Sequence, residues 1–121
     1  MKEKLPVEFV DWKSFPREEV GGKAKGIWQR MISRDPEGRC LARILEYDPG
    51  TDTTPNGVQS HEYYEEVILL EGSFTDLTLG KTFKAGEVAS RPPHMPHGPW
   101  VSQEGCVMYE VEFFLNETAG N

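Results

Sequence analysis

Residues 57–72 read GVQSHEYYEEVILLEG and join a polar stretch to a branched apolar run. Read as a strand, this segment alternates its side chains between two faces, because successive residues of a strand point to opposite sides. One face then carries four polar side chains, those of Gln59, His61, Tyr63 and Glu65. An imidazole and a carboxylate on one face, beside two further polar groups, form a surface suited to holding a metal ion.

A second segment supplies the other histidines. Residues 86–100 read GEVASRPPHMPHGPW and contain His94 and His97. All three histidines of the chain therefore lie in two short segments of its second half. If the fold brings these segments together, their side chains can share one site.

The rest of the chain has the pattern of an all-β protein. Short runs rich in Val, Ile, Phe, Tyr and Thr are separated by Gly, Pro, Asn and Asp, which predicts strands and turns. No stretch sustains the period of 3.6 residues that a helix requires. The predicted strands are residues 7–12, 27–33, 39–47, 59–70 with a turn at 71–72, 74–79, 82–83, 87–91 and 106–115. This pattern favours a closed antiparallel barrel or a double-sheet jelly roll.

The length of 121 residues corresponds to one domain. Within it we expect an N-terminal strand and connection over residues 1–26, a barrel bearing both histidine segments over residues 27–115, and a frayed tail over residues 116–121. A strand at residues 7–12 can pair with its copy and cover a sheet edge, so we expect a homodimer.

The composition excludes several classes of partner. The formal net charge of −7 repels phosphate backbones and anionic lipid, and no cluster of Lys and Arg offsets it. We therefore expect a small-molecule ligand, with no nucleic acid and no membrane as partner. The chain shows no apolar stretch of signal-peptide or membrane-spanning length, so we expect a cytoplasmic protein whose Cys40 and Cys106 are reduced and buried.

The spacing of the two polar segments resembles the two sequence motifs of the cupin superfamily. The residues that match these motifs are His61, Glu65 and Gly72 in the first and Gly86, Pro92 and His97 in the second. Two positions depart from the pattern, because Gln59 stands where the family has a first histidine and His94 where it has a glycine. The run RPPHMPHGPW, followed by EGC, more narrowly resembles the small cupins of the ChrR type and the acetylacetone dioxygenase-like group.

The resemblance implies a single-domain cupin jelly-roll barrel with one divalent metal ion held by His61, Glu65 and His97. Two imidazoles and one carboxylate suit Fe(II), which we favour, and they also accept Zn, Mn, Ni or Co. Gln59 either binds as a fourth ligand or hydrogen-bonds a water on the metal. The competing interpretation is a pocket of satisfied polar residues without a metal.

Tyr63 and His94 are the candidate acid–base groups. Tyr63 shares the predicted ligand face, whereas His94 either replaces the missing imidazole, acts at the pocket mouth, or is an exposed loop histidine. Alternation turns Glu66 away from the site. We expect Arg43 and Arg91 in solvent, although either could turn inward to hold an anionic substrate. Met108 and one face of the apolar ladder at Val107, Tyr109, Val111 and Phe113 are candidates for the pocket wall.

The function implied by the resemblance is that of a metal-dependent oxidoreductase. Its substrate would be a small organic oxyacid or a diketone-like molecule, oxygenated in a dioxygenase-like reaction. Two alternatives stay open. One is a free-standing metal- or ligand-sensing module without catalysis, and the other is metal-free, epimerase-like catalysis.

Overall fold

Nine strands form the core of the described chain, which covers residues 7–115 of a computed structural model. They are β1 (Glu18–Glu19), β2 (Ile27–Arg34), β3 (Cys40–Tyr47), β4 (Thr51–Asp52), β5 (Tyr64–Asp76), β6 (Lys81–Lys84), β7 (Val88–Arg91), β8 (Trp100–Ser102) and β9 (Cys106–Phe113). Two single 3-10 turns, at Trp12–Ser14 and Thr54–Asn56, are the only helical elements within residues 7–115. The all-β prediction is confirmed.

The strands form two antiparallel sheets that share β5. The first half of β5 lies between β9 and β7 in a sheet of order β1-β2-β3-β9-β5-β7. Its second half lies between β8 and β6 in a sheet of order β4-β8-β5-β6. Two sheets joined by a strand that crosses between them form the predicted double-sheet jelly roll.

Gly72 is the point at which β5 passes from one sheet to the other. The register against β9 shifts between Leu69 and Glu71, which marks a β-bulge. Gly72 has φ +77°, and a Cβ added there would lie 2.0 Å from the carbonyl oxygen of Gly105. Only glycine fits this bend. The predicted turn at residues 71–72 is therefore wrong, because a glycine with positive φ serves a bulge inside a continuous strand as well as a turn.

The N-terminal segment does not form the predicted strand at residues 7–12. These residues lead into the 3-10 turn Trp12–Ser14, and Phe9 is 99% exposed. A strand needs a partner for its backbone groups, and the edge of β2 is already occupied by β1 in the described chain. The predicted dimer contact through this strand loses its structural basis, and the homodimer stays a prediction. The predicted tail lies outside the described residues.

Apolar side chains from both sheets meet in the barrel interior. Tyr47 and Phe74 contact each other edge to face, with ring centroids 6.4 Å apart. The buried cluster around them contains Ala24, Ile27, Leu69, Cys106 and Met108. Cys40 and Cys106 form no disulfide, as predicted, but only Cys106 is buried, so the expectation that both are buried packing residues is wrong for Cys40. No helix within the described range is long and apolar enough to cross a membrane.

Candidate functional site

A cavity of about 470 Å³ lies inside the barrel. Its wall includes all four predicted metal-ligand residues, which are Gln59, His61, Glu65 and His97. Apolar side chains complete much of the wall, among them Val67, Phe74, Trp100 and Met108. A concave, mostly apolar site with a few converging polar groups is the usual form of a small-molecule site.

Backbone hydrogen bonds hold the two histidine segments together. The amide of Gln59 donates to the carbonyl of His97 over 2.7 Å, and the amide of His97 donates back to the carbonyl of Gln59 over 2.8 Å. The amide of His94 donates to the carbonyl of His61 over 2.6 Å. Regular strand begins only at Tyr64, so residues 59–63 reach the cavity as a loop that is pinned to the second segment.

The two cavity imidazoles lie side by side. The ring centroids of His61 and His97 are 4.9 Å apart, with the ring planes inclined by 55°. Burial, reinforced by the charge of Arg91, lowers the pKa of His97 to about 4. Burial also lowers the pKa of His61, against the opposing charge of Glu65. Both rings are therefore neutral near pH 7, the form in which an imidazole nitrogen can bind a metal.

His97 also has a polar atom that the protein leaves unsatisfied. Its ring stacks on Trp100 with centroids 5.1 Å apart. Nδ1 of His97 and Nε1 of Trp100 are buried and have no hydrogen-bond partner within the described chain. Buried polar atoms are normally paired, and both residues line the cavity, so this wall has polar groups that the described residues do not fully satisfy. The two imidazoles fit a metal ion on this ground.

The predicted carboxylate ligand is engaged by an arginine. Nη1 of Arg91 donates to Oε1 of Glu65 over 2.6 Å. Burial raises the pKa of Glu65 and Glu110 raises it further, whereas Arg91 acts in the opposite direction. Among residues 7–115, His61, Glu65 and His97 do not form a set of ligand atoms within 4.8 Å of one another. Glu65 can join the two histidines only by sharing its carboxylate with Arg91.

Gln59 has its amide oriented by a loop contact. Its Nε2 donates to the carbonyl of Asn56 over 3.0 Å. The amide oxygen, which is the atom able to bind a metal or to accept from a water, makes no hydrogen bond to the described residues. His61, His97 and the amide oxygen of Gln59 are therefore the groups on this cavity wall that stay available as donors to a divalent ion, with Glu65 on the same wall.

A buried cluster of three acids and two arginines forms one side of the site. Glu65, Glu110 and Glu112 have carboxylate oxygens within 4.8 Å of one another, the one such group of potential ligands among residues 7–115. Arg43 contacts both Glu110 and Glu112, and Arg91 contacts Glu65. These ion pairs account for the cluster without a metal ion. The expectation that both arginines lie in solvent is wrong, because each has an inward acid as its partner.

Glu110 is a cavity residue that the sequence pattern does not single out. In β9 the inward positions are Cys106, Met108 and Glu110, whereas Tyr109 is exposed. The predicted apolar ladder that includes Tyr109 therefore faces away from the cavity. Period-two alternation separates the two faces of β9 correctly but does not say which face is inward. Glu110 can lie on the inward face because its carboxylate pairs with Arg43, and a paired acid can be buried.

The two predicted acid–base residues lie outside the cavity wall. The Tyr63 ring stacks on His61 with centroids 4.6 Å apart and an interplanar angle of 8°, so it packs against one face of that imidazole. His94 is exposed and has φ +69°. Their catalytic roles stay predictions. Glu66 is exposed, as alternation predicts.

No protein-family model and no curated protein matches the chain. Solved structures do match. An RmlC-like cupin from Shewanella frigidimarina is 22% identical, with 96% of this chain and 98% of that chain covered and a TM-score of 0.70. The polyketide cyclase RemF from Streptomyces resistomycificus is 24% identical over 88% and 79%, with a TM-score of 0.71. An acetylacetone dioxygenase from Acinetobacter johnsonii is 16% identical over 98% and 84%, with a TM-score of 0.71.

These similarities show that the chain has the cupin jelly-roll fold. The predicted resemblance to cupins is confirmed at the level of fold. Proteins described as a cyclase and as a dioxygenase share this architecture with the chain. A shared fold does not fix the reaction, which has to be argued from the residues of the site.

Proposed function

We propose that this protein is a metal-dependent enzyme that acts on small organic molecules, with His61 and His97 holding one divalent ion in the barrel cavity. The observation that carries the proposal is the pair of neutral imidazoles, 4.9 Å apart, on the wall of a cavity of about 470 Å³. Within this proposal, Fe(II) is the favoured ion and oxygenation of an oxyacid or a diketone-like substrate is the favoured reaction.

The residues of the chain divide the work of such a site. When bound, the ion supplies a Lewis acid and, as Fe(II), a redox partner for O₂. Gln59 orients the metal or its water through the free amide oxygen, and Tyr63 fixes the plane of the His61 ring by stacking. Val67, Phe74 and Met108 exclude water from the carbon skeleton of the substrate.

Metal analysis of purified protein, reconstituted with Fe(II), Zn(II) or Mn(II), tests the proposal. We expect one ion per chain in the wild type and loss of that ion in His61→Ala and in His97→Ala, because each variant removes one of the two imidazoles. Gln59→His adds an imidazole and is expected to bind the ion more tightly. An ion that persists in both histidine-to-alanine variants, or no ion in the reconstituted wild type, would contradict the proposed centre.

His94→Ala decides between the interpretations of His94. Because this side chain is exposed and does not line the cavity, we expect the variant to keep its ion. Loss of the ion would instead make His94 the replacement for the missing imidazole. Oxygen uptake with a panel of β-diketones and small oxyacids then tests catalysis. A bound ion with no turnover of any of these compounds would favour a sensing module.

One observation favours a second candidate function, metal-free acid–base catalysis. Glu65 is bound by Arg91 at 2.6 Å, and Glu110 lines the same cavity. Two neighbouring acids beside a substrate cavity can serve as the general acid and the general base of a proton-transfer enzyme. The two candidates differ in their response to a chelator. Activity that survives complete removal of metal would favour the second candidate, and activity restored only by metal would favour the first.

A further inference from the structure

Arg91 occupies a shared wall between two cavities. It is the last residue of β7 and lies opposite Glu65 in the sheet. Its side chain is 14% exposed and lines the barrel cavity. It also lines a neighbouring cavity of about 240 Å³, which His97 borders as well. A buried guanidinium in this place is costly unless its donors are used.

Most donors of Arg91 are not used by the described residues. A guanidinium has five N–H groups, and within residues 7–115 the only hydrogen bond of Arg91 runs from Nη1 to Glu65. Nε and Nη2 make no such bond, and together they form one edge of the planar group. The Cζ atom lies 5.7 Å from the centroid of the Trp100 ring, which restricts the orientation of the guanidinium.

Arg43, the other inward arginine, shows what a saturated guanidinium looks like in the same cluster. Its Nε and Nη2 donate to Glu110 over 3.1 and 2.9 Å. Its Nη1 donates to Gln29 over 2.6 Å, and Nη2 also reaches Glu112 at 3.4 Å. All three nitrogens of Arg43 are occupied by protein groups. Arg43 and Arg91 therefore differ in how many of their donors are bonded to protein groups, and this difference does not follow from burial alone.

We propose that Arg91 binds the carboxylate of the substrate through its Nε–Nη2 edge, so that the cavity takes small organic acids in preference to neutral molecules of the same shape. This inference rests on the proposed function, since it concerns the substrate of the same cavity. Two parallel N–H donors match the two oxygens of a carboxylate. The carbon skeleton then lies against the apolar wall formed by Val67, Phe74 and Met108.

A bound cation would improve the charge balance of the site for a ligand of this class. Three acids face two arginines in the cluster, so an added anion needs a further positive charge nearby. The divalent ion of the proposed function supplies that charge on the same wall. The preference for an acid is therefore expected to be larger in metal-loaded protein than in metal-free protein.

The matched probes are acetoacetate and acetoacetamide, which share a β-dicarbonyl frame and differ in the charge of one end. We expect wild-type, metal-loaded protein to bind acetoacetate about tenfold or more tightly than acetoacetamide in calorimetry, because charge-assisted bidentate hydrogen bonds are among the strong ones. The NMR signal of the Arg91 Nε–H group, assigned by its loss in Arg91→Lys, is expected to shift with acetoacetate and to stay in place with the amide.

Variants locate the preference at one side chain. Arg91→Met keeps the length of the side chain and removes its charge, so it is expected to lose most of the preference for acetoacetate and to keep only the part that the metal ion contributes. Arg91→Lys keeps the charge without the fork and is expected to retain part of the preference. Arg17→Met removes the same charge from the outer surface, where Arg17 pairs with Glu46 and Asp48, and is expected to keep the full preference.

The outcomes separate this inference from the proposed function. Equal binding of the two probes to the wild type, no binding of either at high millimolar concentration, or an unchanged preference in Arg91→Met would each overturn the role of Arg91, whatever the metal content. An Arg91-dependent preference in protein that binds no metal even after reconstitution would support the role of Arg91 and would contradict the proposed metal centre. The wild-type comparison needs no variant, so it holds even if Arg91→Met fails to fold.

Discussion

Arg43 and Arg91 bring guanidinium groups to opposite ends of one buried acid cluster, yet the protein uses them differently. Arg43 lies in the middle of β3, and all its nitrogens are bound by Gln29, Glu110 and Glu112. Arg91 lies at the end of β7 and donates one hydrogen bond, to Glu65. A saturated ion pair stabilises the barrel, whereas an unsaturated one leaves binding capacity for a ligand. If the proposed role of Arg91 holds, hydrogen-bond occupancy, more than burial, separates the arginine that serves the fold from the one available to a ligand.

The largest effect that tests this contrast is a difference in stability. Arg43→Met leaves Glu110, whose side chain is 4% exposed, as an unpaired buried acid. We expect a loss of about 3–5 kcal/mol in the free energy of unfolding. Arg91→Met also leaves a buried acid unpaired, because the side chain of Glu65 is 6% exposed. It removes one hydrogen bond where Arg43→Met removes several, so we expect a smaller loss of about 2–3 kcal/mol. Urea denaturation of both variants measures the difference.

A double variant serves as the control for this prediction. Arg43→Met/Glu110→Gln removes the unpaired charge together with its partner, so it is expected to recover part of the stability that Arg43→Met loses. Equal losses in the free energy of unfolding of the two single variants would show that Arg43 and Arg91 stabilise the fold to the same extent. In that case the contrast between them would fail.

The pH dependence of stability gives a second, smaller effect. The pKa of His97 is about 4 in the folded chain, lowered by burial and then by Arg91, whereas an unfolded histidine has a pKa of about 6.5. The unfolded chain therefore takes up the proton first as the pH falls. The contribution of His97 is fully present above about pH 6.5 and decreases by at most about 3 kcal/mol on going down to about pH 4.

The two arginines should differ in their effect on this titration. Arg91→Met removes a charge that lowers the pKa of His97, so the pKa is expected to rise toward its usual range. Arg43 is not among the groups that chiefly shift the pKa of His97, so Arg43→Met is expected to change that pKa much less than Arg91→Met does. NMR titration of the His97 ring measures both, with His97→Gln identifying the signal. An unchanged pKa in Arg91→Met would place the guanidinium too far from His97 to act.

Much of the fold can be predicted from local chemistry in the sequence. The β2–β3 hairpin follows from alternation and from the turn with Pro36 and Gly38. Gly72 shows the limit, because a glycine with positive φ occurs both in turns and in bulged strands, and only the register shift of β5 against β9 between Leu69 and Glu71 identifies the bulge. Strands of two or three residues, such as β4 and β8, lie below the length at which alternation can be recognised.

The candidate site is predictable to the extent that its residues lie in one of the two motif segments. Gln59, His61 and His97 fall in those segments and line the cavity. Glu110 and Arg43 form their ion pair across 67 residues of sequence, so neither position alone predicts burial. Arg91 lies within the second motif segment, but its inward orientation depends on the cross-strand partner Glu65. Pairing over long sequence distances is the information that alternation lacks.

The smallest expected effect comes from Glu112, the outer acid of the cluster. Its carboxylate reaches Nη2 of Arg43 at 3.4 Å and also lies near the carboxylate of Glu110. Attraction to the arginine and repulsion from Glu110 largely cancel, so Glu112→Gln is expected to change the free energy of unfolding by less than about 1 kcal/mol. Urea denaturation at neutral pH measures this, with Glu110→Gln as the comparison that removes the principal partner of Arg43.

A loss from Glu112→Gln as large as that from Glu110→Gln would mean that Arg43 depends on both acids equally. Its saturation would then be a property of the whole cluster, and the contrast with Arg91 would have to be drawn between clusters of partners and not between single ion pairs.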